Sequence, residues 1–546
     1  LLAFGKLATM QQHAIPPDSP PSRLRPFQLS NFLTRLRSDA PSLSSAAAAL
    51  FSATLLAFSF LDFDLWPLAW IALVPLLLAV ARQTKALPAF LLGWLFGAVF
   101  FFGSCYWLTY SIIHFGGFSP FVAYPMLVPG AVILGIFPAV FAGLLARLVK
   151  KFAAPALLLA PALWSPLEWA RLEITGQLWN AIGYSQAFHP RLIQTAAWGG
   201  VYLVGFLIVA VNAALTLLLL KRNRRAALMT TAALVAVVVT VSSSTRDRSS
   251  TPEPQPSAIV IAIQPNVPMD LIKSSAELEQ LRLRHFEMSQ TTLLSLPNDG
   301  AARLLVWPES PMNFTYGTDQ NFRDLLTAFA KQHRTSILLN SQETAPNDGV
   351  YNSALLINEE GKLAAQYDKI RLLPFGEYVP LPQWMPGAGL IRGIVGDFTP
   401  GSNYALMNVG DARAGVFICI EAAYPAISGR FTREGADVLI NISNDGYLGP
   451  TAVLRQHLAN AVLRATENKR PLLRVTNTGI TAFIGTDGTV ADATHEFQQD
   501  VRVWKIRRSS TEPSFYAKHG DWFVAGCTLL SLAVFLVSFK SKNLRT

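Results

Sequence analysis

Five polar residues stand out because their types could carry out acyl chemistry together. Glu309 lies in VWPES, Lys369 and Glu377 in YDKIRLLPFGEYVP, and Cys419 and Glu421 in GVFICIEAAYP. A thiol attacks a carbonyl carbon, and a carboxylate carries the proton that the thiol must lose. An ammonium offsets the negative charge that develops on the carbonyl oxygen. Each residue taken alone has a plainer reading. A Glu after a strand and a Pro is a helix cap or a surface charge, a Lys in a loop is solvated, and a Cys ending an apolar run is a small hydrophobe. Glu377 sits between Pro and Gly residues that suit a turn, with surface charge as its alternative reading. His457, in RQHLANA, reads as helix packing or as support behind a site. The sequence has no cluster of metal-ligating residues and no glycine loop that could cradle phosphate, so neither metal nor cofactor is expected.

The elements that would hold these residues follow an α/β pattern. Short apolar, β-branched runs recur at 258–263, 303–307, 336–340, 353–357, 414–420, 437–442 and 472–476. Helix-like segments lie between several of them, at 275–295, 321–333 and 451–468, the last with apolar residues at helical spacing. Glu309 and Cys419 each follow a strand, where loops mount catalytic groups. About 260 residues are enough to bury a full core.

The rest of the chain is of another kind. Hydrophobic residues make up 51% of the 546 and charged residues only 15%, where a soluble protein carries about a quarter. That composition points to a membrane. The net charge of +10 does not form a nucleic-acid-binding face, because Lys and Arg sit in short runs at the ends of apolar segments. A crossing needs about 20 apolar residues. Candidate spans lie near 45–62, 65–82, 88–112, 120–148, 154–170, 197–220 and 226–242, with an eighth near 521–539. Pro125, Pro129, Pro138, Pro161 and Pro166 interrupt the fourth and fifth, so neighbouring helices must satisfy the freed backbone groups.

The flanking charges order these spans. Arg23, Arg25, Arg35 and Arg37 precede the first, Arg82 and Lys85 follow the second, and Arg147, Lys150 and Lys151 follow the fourth. Lys221, Arg222, Arg224 and Arg225 follow the sixth, and Lys540, Lys542 and Arg545 close the chain. With eight crossings every cluster falls on one side, which the positive-inside rule makes cytoplasmic. Both termini then lie in the cytoplasm and 243–520 lies outside it. The expected order is a disordered basic leader at 1–44, seven transmembrane helices over 45–242, and a Ser/Pro-rich linker at 243–256. A globular domain at 257–510 and a last helix with its tail at 511–546 complete it. Of the three cysteines, only Cys419 falls in the polar half, so no disulfide framework forms there.

In this order, sixty and then fifty positions apart, the segments of Glu309, Lys369 and Cys419 resemble the nitrilase superfamily, whose members use a Glu–Lys–Cys triad. The stretch NISNDGYLGPTAVLRQHLANAVLRATENKRPLLRVTNTGITAFIGTDG is similar to the superfamily's segment after the nucleophile, and the likeness covers 257–505. It implies an α-β-β-α sandwich with Glu309 as general base, Lys369 as oxyanion stabiliser and Cys419 as nucleophile, carrying the acyl group as a thioester. The magnitudes fit those roles. A free thiol of pKa ~8.5 is a few per cent thiolate near neutrality, so full deprotonation gains only about thirtyfold. An oxyanion partner is typically worth ~10²–10³.

The apolar half in turn resembles the apolipoprotein N-acyltransferase family. The matching stretches are WPLAWIALVPLL, GQLWNAIGYSQAFHPRLIQTAAWGGVYLVGFL and HGDWF, so that the likeness runs from about residue 50 onward. It implies a multi-pass protein of the bacterial inner membrane with its catalytic domain on the periplasmic side. Its acyl donor would be a phospholipid, and its acceptor the free amine of an apolipoprotein's diacylglyceryl-cysteine. Glu377 and Glu421 would be supporting or substrate-binding acids. The family commonly has Tyr directly after the nucleophile, where this chain has Ile420, and a Trp shortly after QPN, near Ser274. Both differences fall on acceptor or lipid contacts rather than on the chemistry. Two other readings predict different behaviour. A membrane-tethered amidase hydrolysing a small amide would pass its acyl group to water without phospholipid. The other is a non-enzymatic membrane protein, such as a transporter or an assembly scaffold; transport would call for charged residues within the spans, and apart from Glu168 the candidate spans almost lack them.

Overall fold

Alternation along one strand decides the layer order of the polar half. In the computed structural model, residues 40–539 are described apart from 177, 222–224, 226–227, 229–255, 271–272, 298–299 and 380–396. Strand β1 (Ala258–Gln264) is buried along its whole length. Its two faces meet different partners, as a period of two requires. Ala258, Val260 and Ala262 join a core with Val416, Ile418 and Ile440 of a second sheet. Ile259, Ile261 and Ile263 instead pack with Leu293, Phe322, Leu326 and Phe329 of the helices Ser275–Ser295 and Gln320–His333. The order is therefore helix, sheet, sheet, helix, with Pro425–Arg433 and Val453–Asn468 on the far face.

The first sheet adds β2 (Arg303–Val306), β3 (Ser336–Thr344), β4 (Val350–Ile357) and β5 (Leu363–Asp368) to β1. The second holds β6 (Leu406–Val409), β7 (Ala412–Ile418), β8 (Val438–Ser443), β9 (Leu472–Thr476), β10 (Ala482–Ile484) and β11 (Val490–Ala491). The final strand β12 (Asp500–Ile506) returns antiparallel to β1, giving the orders β12-β1-β2-β3-β4-β5 and β11-β10-β9-β8-β7-β6. Each sheet has a parallel centre, β1-β2-β3 in one and β7-β8-β9 in the other, so consecutive central strands end on the same edge. All seven expected strands and all three expected helices are present. The α-β-β-α sandwich is the architecture found.

In the apolar half, helices stand at seven of the eight candidate spans. The seventh candidate, the leader and the linker lie almost wholly outside the described residues, as does the tail from Lys540. Among the described residues, four helices are long and apolar enough to cross a membrane: Ala86–Ser104, Pro120–Phe152, Ala196–Leu219 and Trp522–Phe539. Leu43–Phe58 and Trp66–Ala81 are shorter apolar helices, and the fifth candidate is a 3₁₀ turn running into Ala160–Thr175. Close packing here depends on small residues. A Cβ on Gly93 would lie 2.2 Å from the Pro138 carbonyl oxygen, which fixes how near Ala86–Ser104 approaches Ile136–Phe152. Where the second candidate breaks at Leu73, buried Asn212 repairs the backbone. Its Oδ1 accepts from Leu73 N–H at 2.9 Å and its Nδ2 donates to the Ala69 carbonyl at 3.0 Å.

Candidate active site

Three strand ends bring the chemically useful side chains to one place. Glu309 lies three residues past β2, Lys369 directly follows β5, and Cys419 opens a 3₁₀ turn directly after β7. Lys369 is buried, with its Nζ 2.9 Å from Glu377 Oε1 and 3.6 Å from Glu309 Oε1. Glu377 is not the surface charge of its alternative reading, because its side chain is buried and fully engaged. Its Oε1 accepts from Lys369 and Asn352, and its Oε2 from Leu373 N–H at 2.7 Å. Asn352 Nδ2 spans both acids, donating to Glu309 at 2.9 Å and to Glu377 at 2.6 Å. The second oxygen of Glu309 accepts from Asn444 N–H at 3.1 Å. Burial disfavours the Lys369 ammonium, yet Glu309 and Glu377 outweigh it and hold the pKa well above the ordinary lysine value.

Cys419 has its backbone in the left-handed region, at φ 53°. A non-glycine residue held there costs about 1–3 kcal/mol and persists only where the surroundings enforce it. The enforcement is visible. The Cys419 carbonyl oxygen lies 3.1 Å from His457 Nε2 and accepts from Asn441 Nδ2 at 3.3 Å. Burial pushes the Cys419 thiol well up, Glu309 adds to that, and Lys369 opposes it. The resting thiol is therefore protonated, so attack by it would need a base to take the proton.

Glu421 is buried and bonded entirely to the scaffold. Its carboxylate accepts from Ile418 N–H at 2.8 Å, from Ile370 and Arg371 N–H at 2.8 and 3.0 Å, and from Tyr367 Oη at 2.8 Å. It thus ties the turn carrying Cys419 to the segment following Lys369. Burial lifts its pKa to about 6 against the pull of those donors, which leaves a carboxylate at neutral pH. Ser274, near the place of the family's Trp, caps the helix Ser275–Ser295 by accepting from Glu277 N–H at 3.2 Å. Ile420 is buried within the 3₁₀ turn. Among the described residues no group of His, Cys, Asp and Glu could hold a metal ion, and all three cysteines are free.

Sequence reasoning misses several participants. Asn352 carries no local signal, because its role arises only when β4 lies beside β3 and β5. His457 reads as packing or support, and it is support of a specific kind. Its Nδ1 lies 2.8 Å from Asp445 Oδ1, and Asp445 Oδ2 accepts from Arg474 at 2.7 Å. The NISND segment supplies both Asn444 and Asp445 at the end of β8, so the long stretch that resembles the superfamily contains them without singling them out.

Comparison with known proteins gives one family match in each half of the chain. Residues 52–214 match the family model described as the apolipoprotein N-acyltransferase N-terminal domain, and residues 262–514 match that described as carbon-nitrogen hydrolase. A Geobacter metallireducens protein named apolipoprotein N-acyltransferase is 32% identical over 505 residues, covering 91% of this chain and 95% of its own length. One of the same name from Pseudomonas putida is 30% identical over 470 residues, covering 84% and 90%. Among solved structures, a Saccharomyces cerevisiae member of branch 10 of the nitrilase superfamily aligns at 17% identity with a TM-score of 0.35. It covers 46% of this chain and 90% of that one.

Proposed function

The chain belongs to the apolipoprotein N-acyltransferase family, and on that premise we propose that it N-acylates lipoproteins with a phospholipid acyl group held on Cys419. It is an acyltransferase with a nitrilase-like α/β domain attached to apolar, membrane-associated helices. In the proposed first half-reaction, Cys419 Sγ attacks the ester carbonyl carbon of the phospholipid while Glu309 takes the thiol proton. Lys369 offsets the charge gathering on the carbonyl oxygen. The tetrahedral adduct collapses, the lysophospholipid oxygen leaves with the proton from Glu309, and a thioester remains. In the second half, the free amine of a diacylglyceryl-cysteine attacks that thioester. Its proton passes by way of Glu309 to the departing Cys419 sulfur, and an amide forms. Glu377 holds Lys369 in place, and Glu421 holds the nucleophile turn.

One observation carries this reading: a buried lysine lies between two carboxylates, and both it and those carboxylates act on the charge of the Cys419 thiol. Such an arrangement suits an acyl-enzyme mechanism and has no evident structural purpose, since buried charges are costly to maintain. The proposed domain limits are those read from the sequence, with seven transmembrane helices over 45–242, the last helix and its cytoplasmic tail at 511–546, and 257–510 as the catalytic domain on the periplasmic side of a bacterial inner membrane.

The test is mass spectrometry of the intact protein after exposure to phospholipid alone. A ping-pong enzyme takes up one acyl chain, labile to hydroxylamine and absent in Cys419→Ala. Glu309→Gln and Lys369→Ala should each slow loading severely. Adding a diacylglyceryl-cysteine peptide should discharge the adduct into an amide. Discharge to water in its place would favour the tethered amidase, and no adduct with any phospholipid would end the triad assignment.

A further inference from the structure

The side chain of Gln456 makes four hydrogen bonds, all to the membrane half. Its Oε1 accepts from the indoles of Trp107 at 3.0 Å and Trp179 at 2.8 Å. Its Nε2 donates to the carbonyls of Phe60 at 3.0 Å and Ser104 at 3.1 Å. A glutamine amide has two donors and an oxygen with two lone pairs, so its capacity is filled. Ser104 is the last residue of the helix Ala86–Ser104, where carbonyls lack partners within the helix. Gln456 shares that carbonyl with the Trp107 indole and Asn180 Nδ2, which donate to it at 3.1 and 3.3 Å, and it is buried in doing so.

The next residue on the same helix faces the other way. His457 places Nε2 3.1 Å from the carbonyl oxygen of Cys419, whose left-handed backbone needs support from outside its own turn. Trp179 joins the two, because its indole bonds Gln456 and its ring lies 5.4 Å from that of His457. The far end of the helix repeats the pattern. Glu467 accepts from Val201 N–H at 2.8 Å, where Gly199 and Gly200 break a membrane helix, and Arg464 reaches the Ala422 carbonyl at 3.4 Å, in the nucleophile turn.

We infer that Gln456 is a positioning residue: it docks the helix Val453–Asn468 onto the membrane half, so that His457 holds the Cys419 turn in its reactive geometry. Cys419 is then a competent nucleophile only while the membrane helices are in register with the catalytic domain. This inference rests on the assignment of Cys419 as the nucleophile.

The test uses the full chain in detergent and two readouts. Alkylation of Cys419 by iodoacetamide, followed by peptide mass spectrometry, needs neither lipid nor acceptor. Sulfur bonds the acetamide carbon, iodide leaves and the thiol proton goes to a base. Thioester loading from phospholipid gives kcat and KM. Gln456→Met is close in size and removes all four bonds; Gln456→Glu, kept neutral by burial against two carbonyl oxygens, keeps the acceptor for both indoles and one donor of the two. Gln456→Met should slow alkylation and lower the kcat of loading about tenfold or more with KM unchanged, since small misplacements of reacting groups carry losses of that order. Gln456→Glu should recover part of that rate. Because Gln456 acts through His457, adding Gln456→Met to His457→Gln should slow the enzyme little beyond His457→Gln alone. Should Gln456→Met fail to fold, Gln456→Glu is judged by the same readouts, with a loss smaller than that of His457→Gln expected. A wild-type alkylation rate in the folded Gln456 variant, or losses that multiply with those of His457→Gln, would overturn the inference. If the unaltered protein takes no acyl group from phospholipid, the functional reading fails, while alkylation still judges the positioning.

Discussion

At the scale of single residues, the site is a problem of one buried cation shared between two acids. Lys369 is closer to Glu377 than to Glu309, at 2.9 against 3.6 Å, so Glu377 takes the direct hydrogen bond, which suits the proposed role of Glu309 as the base. Asn352 reinforces that division by donating to both carboxylates. Removing Glu377 would turn the ammonium onto Glu309 and compromise the proposed base and the proposed oxyanion partner together. Glu377→Ala should therefore lower the loading rate by about ten- to a hundredfold. It should also destabilise the protein, because removing one partner of a buried pair typically costs roughly 3–5 kcal/mol. Glu377→Gln retains an oxygen for Lys369 and should fall between the two. Loading kinetics and thermal midpoints of the three proteins check this ordering. Wild-type turnover in Glu377→Ala would return the residue to a structural role.

Among the elements, the first sheet and its helices separate what the sequence discloses from what it conceals. The seven strands read from apolar runs, β1 to β4 and β7 to β9, include every interior strand except β10. The strands without such a reading are β5, β6, β11 and β12, which lie at sheet edges, and three-residue β10 beside one of them. Edge strands bury one face at most, so they need no continuous apolar run; β5 opens on two exposed residues. The same logic governs the site. Glu309, Lys369 and Cys419 follow strands and sit in recognisable segments, whereas Asn352 lies in mid-strand and becomes a partner only through sheet pairing. The helix Ser275–Ser295 is legible from its pattern, yet one consequence emerges only on packing. His285 is fully buried beside Trp307 and Phe314, and burial, aided by Arg284, lowers its pKa from 6.5 to about 4. Between those values the unfolded chain binds a proton that the folded chain refuses. The stability contributed by neutral His285 is thus complete above about 6.5 and is lost as the pH falls toward about 4, by roughly 3 kcal/mol. Thermal midpoints measured across that interval should fall less steeply in His285→Gln than in the unaltered protein. Parallel curves would remove His285 as the cause.

For the whole molecule, the contacts between the two halves bear on which way the chain is threaded. The catalytic domain meets the membrane half at Phe60, Ser104, Ser111, Trp179 and Val201, that is, at the ends of the first, third and fifth candidate spans and the start of the sixth. The basic clusters instead follow the second and fourth spans, at Arg82 and Lys85 and at Arg147, Lys150 and Lys151, and Lys221 follows the sixth. Arg147 also bonds Ser538 at 3.2 Å and lies 3.8 Å from the ring centre of Phe539, so the last helix ends where that basic cluster lies. Successive helix ends therefore alternate between a domain-bearing face and a basic face. Lys221 follows the sixth helix on the basic face and β1 begins at Ala258 in the domain on the other, so the sequence reading of a further span near 226–242 predicts a crossing between them. This alternation fits the eight crossings expected from the sequence, for which the positive-inside rule would put the basic face in the cytoplasm. A reporter active only outside the cytoplasm should work when fused near Pro252 and be silent after Lys540. Deleting 226–242 should silence the Pro252 fusion, because the positive cluster at 221–225 would then hold the fused reporter on the cytoplasmic side. Activity after Lys540 would reverse the assigned face, and a Pro252 fusion indifferent to that deletion would remove the seventh crossing.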